Sequence, residues 1–372
     1  MTRRMLTQLC ALALAAGIAL PQASKAQGGV LLQGVYDAEL WKTDSASSLL
    51  ARNHGQPGLL GRVNLWTAIE PLRDVVLFGQ LQAETGKARH EPGSEVYVNQ
   101  YGARWSPSDA FVLEAGKMTH IIGVFSNRHL SFRNPLIGEP DGYSAVYPYG
   151  VRISGVASIV DYRAGVVSMP VWHEDYTPTP SKVARPAIGG GVTPFTGFRI
   201  GASATAGPYL GSDDAVFIAG GDWRRYKQHV VAADMQVSRE YFEANAELAR
   251  ASYDVPDRAE PAIGLTWYVE TKYTFTPRFY AAVRVERNDY PYIAPLVTPF
   301  SVPIWIASNS DFTDVEVGGG FRVTSSTLLK LSVRADHWVP NPNPNAPTAS
   351  GRALAMQLSQ TFDVIDLMAR MR

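Results

Sequence analysis

Within RHLSFRN, residues 128–134, His129, Ser131 and Asn134 are residue types that nucleophilic hydrolysis uses: a hydroxyl, an imidazole base and an amide to orient it. Catalysis needs them convergent in space, and three polar residues within six positions of a loop arise easily by chance. The remaining histidines, His54, His90, His120, His173, His229 and His337, stand singly, without the HxH or HxxxH spacing of a metal site. The glycine runs Gly189–Gly191 and Gly318–Gly320 sit in or beside strand-like sequence rather than opening a helix, where a phosphate cradle would be. Neither a metal nor a cofactor is expected.

The chemistry that recurs is ionic. Arg62, Arg104, Arg152, Arg163, Arg199, Arg284, Arg322, Lys330 and Arg334 fall on the polar positions of alternating segments. Glu84, Glu114, Glu243, Glu247, Glu270, Glu286, Glu316 and Asp336 share those faces. Were the cations unopposed, they would make an anion path. Opposed as they are, cross-strand ion pairs that keep a polar surface wet and rigid are the expectation, and solute charge stays open.

The elements that must carry these residues follow from residues 314–338, DVEVGGGFRVTSSTLLKLSVRADHW. Val315, Val317, Phe321, Leu329, Leu331 and Val333 occupy one alternate set, and Glu316, Arg322, Lys330, Arg334 and Asp336 the other. A period of two on both sides of TSST predicts a hairpin with one apolar and one charged face. Similar alternation predicts sixteen strands: 30–41, 59–70, 75–85, 95–105, 110–118, 150–157, 160–171, 195–206, 214–223, 229–237, 240–251, 262–275, 279–288, 313–323, 328–338 and 352–362. Their connections alternate between short ones, such as 71–74, 106–109 and 158–159, and long ones: 42–56, 86–94, 119–149, 172–194, 252–261, 289–312 and 339–351. The rhythm weakens at 207–213 and 224–228. A sandwich has no reason to sort loop length by end. A closed antiparallel transmembrane β-barrel of about 16 strands, with short periplasmic turns and long outer loops, does. Apolar side chains then face lipid and ionic ones a water-filled lumen, because backbone groups left unpaired in hydrocarbon cost several kcal/mol and force the sheet to close. Trp41, Trp105, Trp338, Tyr273, Phe275 and Phe279, near strand ends, suit interfacial girdles.

The chain termini agree. MTRRMLTQLCALALAAGIALPQASKAQ carries Arg3 and Arg4, a short apolar run and a small-residue cleavage site, so residues 1–26 are expected to be a secretory signal peptide and 27–372 the barrel. The single cysteine, Cys10, lies within that signal, which leaves the barrel no disulfide. The whole chain balances 34 basic against 34 acidic residues, and nothing in that balance suggests nucleic acid. Beyond residue 26 there is no run of 18 apolar residues for a transmembrane helix.

In strand number, loop order and lumen charge, residues 27–372 resemble the sixteen-stranded porins, nearest the phosphate-selective porin family. The sharpest local likeness is LEAGKMTHIIGVF, residues 113–125, although Ile121 and Ile122 stand where that family often has a proline. Porins usually finish on an aromatic residue, whereas here Phe362 is followed by DVIDLMARMR, so 363–372 is expected to be a periplasmic tail. The resemblance implies a bacterial outer-membrane channel for passive diffusion of small polar or charged solutes, seated in outer-membrane lipid, with a homotrimer as one assembly. It also implies that the third outer loop, 119–149, sets a constriction, with Arg128, Arg133, Glu139 and Asp141 as its charges. Alternatives are a non-conducting barrel with a structural, assembly or surface-binding role, and a lipid-modifying hydrolase.

Overall fold

A computed structural model describes residues 29–364, apart from 48, 90–92, 144–146, 169–183, 211–219, 257–258, 290–310 and 340–348. The expected signal segment and residues 365–372 of the expected tail lie outside the described residues. Sixteen antiparallel strands close into one barrel, each paired with its sequence neighbours and the first with the last. They are β1 Val30–Thr43, β2 Gly58–Leu72, β3 Val75–Gly86, β4 Gly93–Ser108, β5 Phe111–Lys117, β6 Tyr149–Ala157, β7 Val160–Val167 and β8 Arg185–Phe195. The second half comprises β9 Phe198–Pro208, β10 Lys227–Arg239, β11 Phe242–Tyr253, β12 Ala262–Thr276, β13 Phe279–Asp289, β14 Phe312–Arg322, β15 Thr327–Trp338 and β16 Gly351–Asp363.

Closure runs from Gln33 opposite Asp363 to Thr43 opposite Ala353. Phe362 pairs with Gly34 one residue before the Asp363 end, and its ring lies on the outer face where a Cβ on Gly34 would meet it. Turns at one end are two to four residues long, and connections at the other run from six to 31. No helix among the described residues is long and apolar enough to cross a membrane.

One strand was not expected, and one expected strand does not form over its described part. The span 172–194, expected as a loop, holds β8 (RPAIGGGVTPF) in its second half. The expected strand 214–223 is turn and a short 3-10 helix, Trp223–Arg225, over its described part, and 214–219 lie outside the described residues. One strand missed and one placed wrongly left the count at sixteen. Moving β8 into place restores the loop alternation, with a two-residue turn at 196–197 and a long connection at 209–226.

Side-chain order is inverted relative to a water-soluble protein. Val317 and Leu331 are 53% and 55% exposed on the outside, whereas Glu316 and Lys330, one residue away, are each 1% exposed inside. That arrangement suits a molecule surrounded by hydrocarbon, where apolar surface needs no cover and ions do. Aromatic pairs gather outside at the tight-turn end: Trp105 with Phe111, Phe195 with Phe198, and Tyr273, Phe275 and Phe279 in series. Trp41 and Trp338 do not join them. Each turns inward, and its indole N–H donates to a carboxylate two residues back, Glu39 or Asp336, at 2.7 Å.

Candidate functional site: the lumen and its inward loop

Strand register sets the lumen charges in rows. Glu270, Arg284, Glu316 and Arg334 face one another in order across β12 to β15. Arg284 donates to Glu270 at 3.2 Å and to Glu316 at 2.6 Å. One row toward the long loops, Glu286, Asp314 and Asp336 stand side by side. Arg334 reaches up into that acidic row, donating to Glu286 at 2.7 Å and Asp314 at 2.8 Å and pairing with Asp141. The guanidinium thus occupies the space among Asp141, Glu286 and Asp314 that a cation would otherwise take. A second alternating row, Arg104, Glu114, Arg152, crosses β4 to β6, with Arg104 and Arg152 donating to opposite oxygens of Glu114. A third joins Arg62 to Glu84 at 2.6 Å and to Glu39 at 3.3 Å. Arg199 is held by Asp161 at 2.7 Å and by Asp234.

The connection from β5 to β6, residues 118–148, runs inside the barrel over its described residues, 118–143 and 147–148. Its first part is seated on β7, β9, β11 and β12. Gly123 N–H donates to Ser203 and its carbonyl accepts from Arg163, Val124 N–H donates to Glu247, and Phe125 packs edge-on to Tyr268. Ile122 and Phe125 enter a core inside the barrel with Tyr209, Trp223, Tyr226 and Tyr253. Arg128 then pairs with Glu270 at 2.8 Å. Farther along, Phe132 meets Trp66 of β2 edge-to-face at 6.0 Å. The chain returns to β13–β15, where Ile137 and Gly138 N–H groups donate to Glu316 Oε1 at 3.1 and 3.0 Å. Lys330 donates to the Asn134 and Leu136 carbonyls at 2.9 and 3.0 Å. Small inward residues make the seat: a Cβ on Gly318 would lie 3.1 Å from Leu136, and one on Gly165 3.2 Å from Ile121.

The hydrolytic trio does not assemble. His129 Nε2 accepts from the Tyr147 hydroxyl at 2.7 Å and Nδ1 donates to the Ser126 carbonyl at 2.7 Å, the tautomer those two partners require. Asn134 is used locally, donating to the Gly138 carbonyl and accepting from Leu136 N–H. Ser131 lies beside Asp37 of β1, in a geometry too poor to count as a hydrogen bond. Burial lowers the His129 pKa to about 4, against the partial lift from the Ser126 carbonyl. Because that value is depressed, the stability this neutral ring adds is complete above about pH 6.5 and fades as pH falls toward 4. Histidine NMR on the detergent-solubilised barrel should place this ring's titration midpoint near 4, and its hydrogen bond from Tyr147 should break below that pH.

Of the other loop charges, Asp141 is taken by Arg334. Arg133 is exposed over the Phe132 ring and donates to the Asn127 carbonyl. Glu139 is partly exposed and makes no ion pair among the described residues. Among the wall residues, Arg322 is exposed near the tight turns, and Asp336 accepts from Gly351 N–H and Trp338, tying down the base of a long loop.

Among the described residues, the loop's hydrogen bonds and ring contacts fall on other strands than β3 and β4, where exposure is uneven: Gln80 and Asn99 are buried and Arg104 is open. The Arg104 side chain is 50% exposed, against at most 6% for Arg284 and Arg334. Sequence reasoning passed over what lines this side: Asn64, Gln80, Gln82, Asn99 and Gln100, linked by Gln100 to Gln80 at 2.7 Å and Asn99 to Gln82 at 2.9 Å. The signal was present, glutamines two apart in LFGQLQAET on the polar face, but it carried no charge to draw notice. Below them Gly102, Gly116 and Gly150 stand in one row across β4–β6. Gly116 has φ +140°, and its Cβ would lie 2.6 Å from the Gly102 Cα. Gly116→Ala should therefore destabilise the barrel by about 2–4 kcal/mol, while Gly29→Ala, with nothing within 4 Å, changes little. Urea unfolding in lipid vesicles reads the difference.

No family model matches the chain, and no curated protein matches it in sequence. Solved structures do match in fold. One is OmpF of Salmonella typhi in complex with daunomycin, at TM-score 0.58 and 11% identity, covering 90% of this chain and 97% of that one. Another is in-vitro folded OmpT, an outer membrane protein of Vibrio cholerae, at TM-score 0.56 and 12% identity, covering 92% and 100%. At such identities the likeness is one of architecture: a closed sixteen-stranded antiparallel barrel like those of outer-membrane proteins.

Proposed function

We propose that this chain is an outer-membrane channel through which small polar solutes diffuse, exported by its N-terminal segment and narrowed by residues 118–148. The observation that carries this reading is the asymmetry of the lumen. The loop is seated by hydrogen bonds on β6, β7, β9 and β11–β15, while none of those described falls on β3 or β4, where the Arg104 side chain stays half exposed. Apolar residues on the outside and ion-paired rows inside suit a wet passage through hydrocarbon. Hydrolysis by RHLSFRN finds no support in the geometry, since His129 is held by Tyr147 and Ser126 and does not meet Ser131. A barrel closed by its own loop is the rival, favoured by the aromatic core inside the wall and by inward ions as little exposed as Asp37 and Glu39. Planar-bilayer recording decides between them: stepwise conductance in KCl supports the channel, and silence from folded barrel supports the plug.

Glu139 makes the channel reading more specific. Burial pushes its carboxyl up to about 7, against the pull of Arg62 and Arg284. It is neutral below that pH and charged above it, so cation permeability relative to anion should rise between pH 6 and 8. Reversal potentials in a KCl gradient check this, and Glu139→Gln should flatten the change.

A further inference from the structure

The two edges of the lipid-facing surface differ. Aromatic pairs gather at the tight-turn edge, where Arg239 is the outward strand cation among the described residues. Near the long loops, outward strand positions hold Lys42, Lys227, Arg250, Arg287 and Arg352. Three of these have protein partners close by. Arg287 donates to Asp311 at 2.7 Å, Lys42 donates to the Gly55 carbonyl, and Arg352 stands beside Asp44, whose carboxylate accepts its backbone N–H at 2.8 Å. Lys227 and Arg250 are different: both are exposed, and neither side chain makes a hydrogen bond or ion pair among the described residues. They bracket a polar pair. His229 of β10 faces Ser252 of β11, with Lys227 one outward step toward the long loop and Arg250 one outward step toward mid-strand, opposite Val231. Arg250 is flanked in its row by Val231 and Leu265, 63% and 37% exposed, so its stem borders hydrocarbon. Such a cation is tolerated where its head reaches the headgroup layer. The acid beside the cluster, Asp254, is turned to the backbone, accepting Lys227 N–H at 3.1 Å.

We propose that Lys227, His229, Arg250 and Ser252 form a binding site for the phosphomonoester headgroup of a membrane lipid at the long-loop edge of the barrel. Phosphate oxygens match the forked donors of a guanidinium and the three donors of an ammonium. A monoester carries about two negative charges, which the two cations balance. The phosphate sits over the His229–Ser252 pair, where the hydroxyl and a ring N–H donate to it, and Arg250 and Lys227 close on it from either side. The acyl chains then lie on the apolar surface below. The site is on the lipid side of the wall and does not depend on the lumen being open.

The test uses the full-length barrel, folded in detergent by the heat-shift criterion on gels. It is titrated in native mass spectra with dioleoyl phosphatidic acid, phosphatidylglycerol or phosphatidylcholine. Phosphatidic acid should bind most tightly and phosphatidylcholine least. Arg250→Gln and Lys227→Gln should each weaken phosphatidic acid binding about fivefold. Arg250→Lys, which keeps the charge, should weaken it by less, and Arg239→Gln, at the other edge, should leave it unchanged. The site is overturned if phosphatidylglycerol or phosphatidylcholine binds as tightly as phosphatidic acid, if both glutamine variants bind as the parent does, or if Arg239→Gln loses as much as they do. Displacement of the lipid by excess inorganic phosphate would make this a free-anion site and overturn the lipid assignment.

Discussion

Glu316→Ala should cost about 3–5 kcal/mol of barrel stability and release the inward loop. Glu316 is 1% exposed and accepts from three directions: Ile137 N–H, Gly138 N–H and the Arg284 guanidinium. Truncation leaves two backbone donors without their acceptor and Arg284 with one carboxylate, Glu270 at 3.2 Å, beside the Gly138 carbonyl at 2.8 Å. Glu316→Gln, which still accepts but no longer balances the cation, should fall between parent and alanine. Urea unfolding in vesicles measures the loss. Limited trypsin digestion should show faster cleavage after Arg128 and Arg133, and bilayer currents should become larger and noisier as the loop leaves the wall. Parent-like stability and parent-like protection together would mean that the loop is not seated through this carboxylate.

Leu331→Arg is the second large effect, expected at about 2–4 kcal/mol because it places a cation in hydrocarbon near mid-strand. Gln82→Lys on β3 faces the lumen beside Glu84, to which Gln82 already donates at 2.8 Å. There the added charge meets water and a carboxylate, so the change should stay within about 1 kcal/mol. The pair makes a direct comparison, since both substitutions add one positive charge and differ in the face that receives it.

How much of this was legible depends on the residue. The parity of β14 and β15 gave their faces directly, because a period of two allows only one assignment once a single side is fixed. The same parity places Trp41 with Asp37 and Glu39, and Trp338 with Arg334 and Asp336, so their inward turn could have been read from the alternation. Proximity to a strand end outweighed it, wrongly. β8 was hidden by Pro186, Pro194 and Gly189–Gly191, residues that ordinarily end a strand. The structure gives their reason: a Cβ on Gly189 would lie 2.8 Å from the Arg163 guanidinium, and one on Gly191 2.5 Å from that of Arg199, so bare backbone lets two arginines lie flat on the wall. The irregular connections at 207–213 and 224–228 were that same error seen from its other side.

Loop 118–148 was legible as long and proline-marked, not as a set of partners. Nothing in NPLIG announces that two of its backbone N–H groups will meet Glu316, because the match depends on barrel curvature and on glycines in other strands. Register fixes which charges face each other, and turn length fixes register, so the ionic rows follow once the strands are right. The amide patch was open to view in the uncharged polar residues of a polar face.

Channel, loop seat and lipid site all depend on which way alternate side chains of each strand point. Single cysteines along β3, with Cys10 replaced, would be spin-labelled in the vesicle-reconstituted barrel and probed with oxygen and a water-soluble nickel chelate. Labels at Leu77, Leu81 and Ala83 should favour oxygen, and those at Phe78, Gln82 and Glu84 should favour nickel, with a strict period of two. The opposite phase, or no alternation, would contradict an apolar exterior around a polar lumen.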